Sequence, residues 1–244
     1  MLGTNYEQSP PPAPVLTFLP ETPDQADPPV LPPRPRRGRG APMAWQVPTR
    51  IEERRARMRA EGARLLSQPG ATGVAIADVA RAAHVPVSPS AHGYRRRAEL
   101  MFDILYAYVD ALHEAVGEAV DSCEALPPRT RLRVVIRALL DGVRAHQDAH
   151  RLMVLHHHAL NRDQLEALRY QIRTLFHRAV PVLEAAEPVL AERREMQGPL
   201  VQTLIGLVSH TPSWLREDGS LSWADYADVI AESLIAAARA LPAR

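Results

Sequence analysis

Few residues in this sequence offer chemistry, and their spacing limits what that chemistry is. His146 and His150 stand four apart, and His156-His157-His158 follow closely. Two histidines at i and i+4 on one unbroken helix face share a metal ion readily. Consecutive histidines on a helix point in different directions, however, and no matched carboxylate pattern accompanies these. They read as polar or capping groups, and neither a metal nor a cofactor is expected. Cys123 is the one cysteine, which excludes an internal disulfide framework and a multi-cysteine zinc or iron–sulfur site. It has no evident activating partner, so a redox role lacks support. No glycine-rich phosphate loop, nucleophile elbow or His-Glu-x-x-His string occurs, and the sequence is read as a non-enzyme. The remaining cluster is cationic, Arg95-Arg96-Arg97. Guanidinium groups in a run suit phosphate oxygens, or they form a solvated turn.

Charge arithmetic favours the first of these. The 244 residues carry 29 basic side chains, all of them arginine, and 28 acidic ones, for a net charge of +1. That near-neutrality is a partition: residues 1–48 sum to 0, residues 49–100 to +5 and residues 101–244 to −4. A basic module is joined to an acidic one, and basic density on one module suggests phosphate contact there. No run of eighteen apolar residues occurs and the start lacks a signal peptide. A soluble, cytoplasmic protein with no membrane partner is therefore expected.

The elements that would position these residues are helices. Residues 1–48 hold 13 of the 23 prolines, which forbids helix and suggests a disordered arm ending in Arg34, Arg36, Arg37 and Arg39. From Thr49 the composition turns to Ala, Leu, Arg and Glu with helical spacing and no period-two pattern. Thr49-Arg50-Ile51-Glu52 reads as a capping box opening a helix to about Gln68, with Ile51, Met58, Gly62, Leu65 and Leu66 on its buried face. Short segments about Ala75–Ala83 and Ser88–Tyr94 follow, and then a long helix from near Ala98 past Val120. Further helices are expected over 129–147, 148–159, 162–186, 188–209 and 222–241, with breaks at Pro127-Pro128, Asn161, Glu187-Pro188, Pro212 and Gly219. Ser222-Trp223-Ala224-Asp225 is a second capping box. Its helix has an apolar face of Trp223, Tyr226, Val229, Ile230, Leu234 and Leu241.

Short helix, turn, short helix, then a long helix starting in a basic patch: this order resembles the DNA-binding domain of the tetracycline-repressor (TetR-type) family. The family string Ile-Ala-x-x-Ala-Gly-Val-Ser is matched by Val79-Ala80-Arg81-Ala82-Ala83-His84-Val85-Pro86. Its Phe-x-x-Lys-x-x-Leu is matched without a gap by Tyr94-Arg95-Arg96-Arg97-Ala98-Glu99-Leu100. Met58, Gly62, Leu65, Leu66 and Gly70 fall where the family has its first-helix core and terminal glycine. The motif covers about residues 49–101; the later helices agree in number, length and order. Three positions depart. His84 replaces the turn glycine, Pro86 replaces the serine that caps the recognition helix, and Ala91 replaces a phosphate-contacting tyrosine. Ser88 at N-cap with Pro89 at N1 would supply another helix start.

The resemblance implies an all-α chain: a helix-turn-helix domain over 49–97 and a larger ligand-binding and dimerisation domain over 98–244. It implies a homodimer on double-stranded operator DNA, a small-molecule effector of unknown identity, and repression as the usual outcome. Val87, Ser88, Ser90 and His92 would reach base edges from the recognition helix, with Tyr94 beside it. Arg95, Arg96, Arg97 and Arg50, with Arg54, would meet phosphates. A pocket would draw on Phe102, Tyr106, Leu139, Val143, Leu155, Leu168, Ile172 and Phe176. The last two helices, with Ala231, Ala236, Ala237 and Ala238, would form the dimer interface. The departures at His84, Pro86 and Ala91 keep a second reading open, a ligand- or partner-binding helical dimer with a vestigial DNA module.

Overall fold

The computed structural model describes residues 50–240. The arm over 1–48, the Thr49 cap and Leu241 therefore lie outside the described residues. Ten α-helices and three short 3-10 turns occur among them, and no strand. The first helix, α1 (Arg50–Leu66), buries Met58, Gly62, Ala63 and Leu66. Ile51, expected on that buried face, is 48% exposed, because it sits in the first turn, ahead of the part that packs. Gly62 earns its place by close approach: a Cβ there would lie 2.9 Å from Ile104 Cδ1. The helix therefore meets the long helix α4 (Arg97–Ser122) almost backbone to side chain. Gly70, in the left-handed region at φ 79°, ends the segment as its residue type predicts.

Next come α2 (Ile76–Ala82) and α3 (Pro89–His92). Asp78 accepts a hydrogen bond from the Ala75 backbone N–H at 2.9 Å and so starts α2. Val79, Ala80, Ala83 and Val85 pack inward beside Met58, Leu66 and Leu100. The body comprises α4, α5 (Pro128–Ala145), α6 (Gln147–His156), α7 (Arg162–Ala186), α8 (Val189–Glu192), α9 (Gln197–Trp214) and α10 (Trp223–Ala240). Packing concentrates where α4, α5 and α7 meet, and α10 closes over α5. Exposed arginines of α5 tie it to α10 through Arg133–Glu232 at 2.7 Å and Arg137–Asp228 at 3.2 Å. Such pairs orient more than they stabilise.

Two boundaries differ from the sequence reading. The expected helix over 188–209 is α8, a 3-10 turn and then α9, and α9 runs through Pro212 to Trp214. Proline denies only its own N–H and its ring displaces the carbonyl four residues back, so one more turn survives beyond it. The Ser222 box forms as read, with Ser222 Oγ accepting from the Asp225 N–H at 3.1 Å. Its apolar face is narrower than expected, since Val229 is exposed.

Candidate functional site

The helix-turn-helix turn is built around an unusual backbone. His84 has φ 52°, the sole positive φ of a non-glycine residue among the described ones. A Cβ in that region crowds the following carbonyl, and histidine tolerates it only somewhat better than most residues. The family's turn glycine thus reports a conformation that this chain keeps while changing the residue. His84→Gly is expected to raise stability by about 0.5–1 kcal/mol, net of the extra unfolded-state freedom of glycine. A urea midpoint that moves down instead would show that the imidazole makes a compensating contact.

The recognition segment is a single turn. Ser88 is its N-cap residue and Pro89 its N1, as the sequence suggested, and Gly93 in the left-handed region at φ 84° ends it. The Ser88 side chain makes no cap bond; its Oγ lies 2.8 Å from Ser90 Oγ instead. What holds so short a helix is His92, and here the sequence reading needs correction. His92, expected among the base-reading residues, is fully buried. Its Nδ1 accepts from the Tyr94 N–H at 3.2 Å, which leaves Nε2–H to donate to the Val87 carbonyl at 3.3 Å. One imidazole thereby clasps the chain on both sides of α3. Tyr94 is likewise buried, with its ring stacked on His92. Its hydroxyl donates to Asp103 and accepts from Arg55 Nε at 3.3 Å. Ala91 is buried too. The side chains left exposed at the start of this segment are Val87, Ser88, Pro89 and Ser90.

Asp103, on α4, is the hub of this module. Its carboxylate pairs with Arg55 at 3.2 Å and Arg59 at 3.1 Å, both from α1, and accepts from Tyr94. Burial alone would raise its pKa; the Tyr94 hydrogen bond and the two guanidiniums outweigh that and hold it below the usual carboxylate value. The same burial and the Asp103 contact push the Tyr94 phenol up to about 12. No residue in the sequence announced this hub, because its members are spread from 55 to 103.

The arginine run divides. Arg95 and Arg96 are exposed, and neither is in an ion pair among the described residues. Glu99 fixes their backbone: its carboxylate accepts from the Arg95 N–H at 2.8 Å and the Arg96 N–H at 3.4 Å. Those bonds, the Arg95 one foremost, also keep Glu99 ionised. Arg97, by contrast, is half-buried and donates from Nη1 to the Thr72 carbonyl at 3.0 Å. It ties α4 to the loop after α1, so one of its donors is already engaged within the chain. Arg50 is exposed at the first turn of α1, and Arg54 is half-buried.

In the body, the expected pocket residues scatter. Leu139, Val143, Ile172 and Phe176 line one small cavity of about 30 Å³, together with Tyr108, His150 and Ser209. Leu139 and Phe176 also border a wholly apolar cavity of about 20 Å³. Each holds little more than one water. Leu168 is buried in the core, Leu155 is 40% exposed, and Phe102 and Tyr106 lie outside both linings. Tyr106 accepts from Gln171 Nε2 at 2.9 Å. His150, lining the first cavity, joins three helices, with Nδ1 at 2.8 Å from the Tyr108 hydroxyl and Nε2 at 3.0 Å from the Ser209 carbonyl. Burial keeps its pKa below the ordinary value. The i, i+4 pairing with His146 fails because α5 ends at Ala145 and α6 begins at Gln147. Among the described residues no group of three His, Cys, Asp or Glu side chains is placed to hold a metal. Cys123 is buried at the end of α4. No helix of the described residues is long and apolar enough to cross a membrane.

Of the small residues expected at an interface, Ala231 and Ala238 are buried within the chain, while Ala236 faces outward. It shares the outer side of α10 with Val229 and Ser233.

Residues 125–238 match the family model described as Tetracyclin repressor-like, C-terminal domain. A search among curated proteins gave no match. Among solved structures, a TetR-family transcriptional regulator from Bordetella parapertussis is similar, with TM-score 0.65 and 24% identity over 74% of this chain and 93% of that one. The TetR-family regulator PfmR from Thermus thermophilus aligns with TM-score 0.61 and 15% identity, covering 74% and 97%. AibR, solved in complex with isovaleryl coenzyme A and operator DNA, aligns with TM-score 0.56 and 19% identity, covering 76% and 97%.

Proposed function

We propose, from the premise that this chain belongs to the TetR-type family, that it is a ligand-responsive transcription regulator, a repressor that binds operator DNA as a homodimer in the cytoplasm. The observation that carries this reading is the pairing of a short helix, whose start exposes Val87, Ser88, Pro89 and Ser90, with Arg95 and Arg96 directly after it, neither in an ion pair among the described residues. Serine hydroxyls donate to or accept from several base edges, and the guanidiniums suit flanking phosphates. In this reading residues 49–97 form the DNA-binding domain, with Arg50 a further phosphate contact, and residues 98–244 bind the effector and dimerise. One turn of helix reads only a half-site, so two copies are needed. The outer faces of α9 and α10, with Thr203, Gly206, Val229, Ser233 and Ala236 exposed, are the surface assigned to the second copy. The effector site is assigned to the two body cavities, which are separated by Leu139, Leu175 and Phe176 and would merge on ligand entry. AibR binds an acyl-coenzyme A and operator DNA, a precedent for both partner classes.

A second reading has specific support. Buried His92 and Ala91 leave α3 few side chains for a groove, which favours a ligand- or partner-binding dimer whose DNA module is vestigial. Selection of bound DNA from a random pool by the full chain separates the two. The first predicts an enriched palindrome whose binding weakens with salt; no enriched site favours the second.

A further inference from the structure

A space much wider than the two body cavities lies at the junction of the helix-turn-helix with the body. A cleft of about 190 Å³ opens between α1, α4 and α6, against about 20 and 30 Å³ inside the body. Its origin is legible in the side chains. Ala60 and Ala63 on α1, Ala107 on α4 and Ala149 on α6 line it, one methyl each, so the three helices meet without filling the gap. Gly62 draws α1 against Ile104 at one side.

The polar side chains of the cleft are Arg59, His146 and Tyr108, and the Tyr108 hydroxyl is already taken by His150 Nδ1 at 2.8 Å. Arg59 reaches it from α1 and His146 from the start of α6, and no acidic residue lines it. The His146 ring lies edge-on to the Tyr108 ring, centroids 6.0 Å apart. Arg59 is already paired with Asp103 at 3.1 Å, but that single carboxylate also serves Arg55 at 3.2 Å. Two guanidiniums therefore share one negative charge, and the site keeps a cationic surplus. Methyl walls beside two basic groups, with the one phenol already hydrogen-bonded, suit an anion with a compact apolar body.

We propose that this junctional cleft binds a small organic carboxylate, with the carboxylate at Arg59 and His146 and the apolar part among the alanines. A molecule there touches α1 and α6 together, so it bears on how the DNA-binding helices are set against the body. That consequence rests on the regulator reading; the binding itself does not.

The test uses the full chain and 4-fluorobenzoate as the probe, followed by fluorine NMR, with 4-fluorobenzamide as the uncharged counterpart. Saturable binding of the benzoate is expected, with the benzamide at least about tenfold weaker, as loss of a charge-assisted hydrogen bond implies. Ala60→Leu, at the exposed rim, and Arg59→Gln should each weaken the benzoate by about tenfold or more. Far-UV circular dichroism checks that each variant is folded, and if Ala60→Leu is not, Arg59→Gln decides. Absence of saturable binding overturns the proposal. So does binding that neither folded variant changes, which would place the probe in the body cavities, and so does equal affinity for the amide. DNA binding is measured separately by anisotropy on DNA upstream of the gene. A chain that binds the benzoate as expected but never DNA loses the regulator reading and keeps the site.

Discussion

Asp103→Ala is expected to lower the stability of the protein by about 3 kcal/mol, the range for removing one partner from a largely buried ionic hydrogen-bond cluster. The side chain is 25% exposed and holds three others: Arg55, Arg59 and the Tyr94 hydroxyl. Its loss leaves the two guanidiniums without their carboxylate and the phenol without its acceptor. It also frees Tyr94, which stacks on the His92 clasp, so the recognition turn should open before the body does. Urea denaturation measures the first effect, and amide exchange around residues 87–94 the second. The pH dependence supplies a sign. Asp103 titrates below the ordinary aspartate range in the folded protein despite the opposing effect of burial. A carboxyl depressed on folding contributes stability that is complete above its unfolded pKa and is lost as pH falls through the folded one. The gap between the protein and its Asp103→Ala variant should therefore be full near neutrality and shrink below about pH 4. A gap that is constant with pH would mean that the carboxylate is not the stabilising form.

The helices were legible because their signals are local. Asn161 before Arg162, Pro128 at the start of α5, Glu187-Pro188 and the Ser222 box each specify a boundary within a few residues of chain, and the α7 limits came out as expected. The failures are where tertiary context decides. Ile51 and Val229 fit the apolar spacing of their helices, yet nothing among the described residues covers them. Hydrophobic period gives a face, not the extent of the surface that covers it. The break between α8 and α9 falls just ahead of Gly198-Pro199, and the proline sits in the first turn of α9, where its missing N–H has no helical partner to lose.

The site divides in the same way. The start of α3 and the exposure of Arg95 and Arg96 follow from residue types in sequence, whereas the positive φ of His84 is implied only by the family resemblance, since histidine does not favour it. The inward turn of His92 follows from neither. Polar residue type suggested an outward side chain, but on a helix of four residues the backbone groups at both ends need partners, and the imidazole is placed to serve both. Arg97 illustrates the converse. Its two neighbours are free of salt bridges among the described residues, while one position further along α4 the side chain falls over the Thr72 carbonyl. Pocket residues were the least legible, because a pocket and a core draw on the same side chains. Leu139 and Phe176 border cavities, whereas Leu168 of the same helix as Phe176 is simply buried.

Replacing Arg95 and Arg96 by alanine together should reduce operator affinity by about 100-fold at physiological salt, if the proposed function holds. Each side chain is exposed on backbone that Glu99 fixes, and with no ion pair among the described residues it meets a phosphate without first breaking one. A homodimer loses such contacts on both half-sites, and a change of about 0.7 kcal/mol for each of about four contacts gives that factor. The sharper measurement is the salt dependence. Each phosphate contact removed lowers the slope of log affinity against log salt by about 0.9, so the variant's slope should be shallower by about 3 to 4. A fall of about 2 instead would indicate that one chain, not two, contacts the site. Sequence preference should be almost unchanged, since phosphate contacts position the protein without reading bases. Ser90→Ala is the complementary case, because its hydroxyl is exposed on the recognition turn and carries no charge. It should alter which bases are preferred while leaving the salt slope alone. If the double variant retains the full slope, the phosphate contacts lie elsewhere, and Arg50 at the head of α1 becomes the residue to remove next.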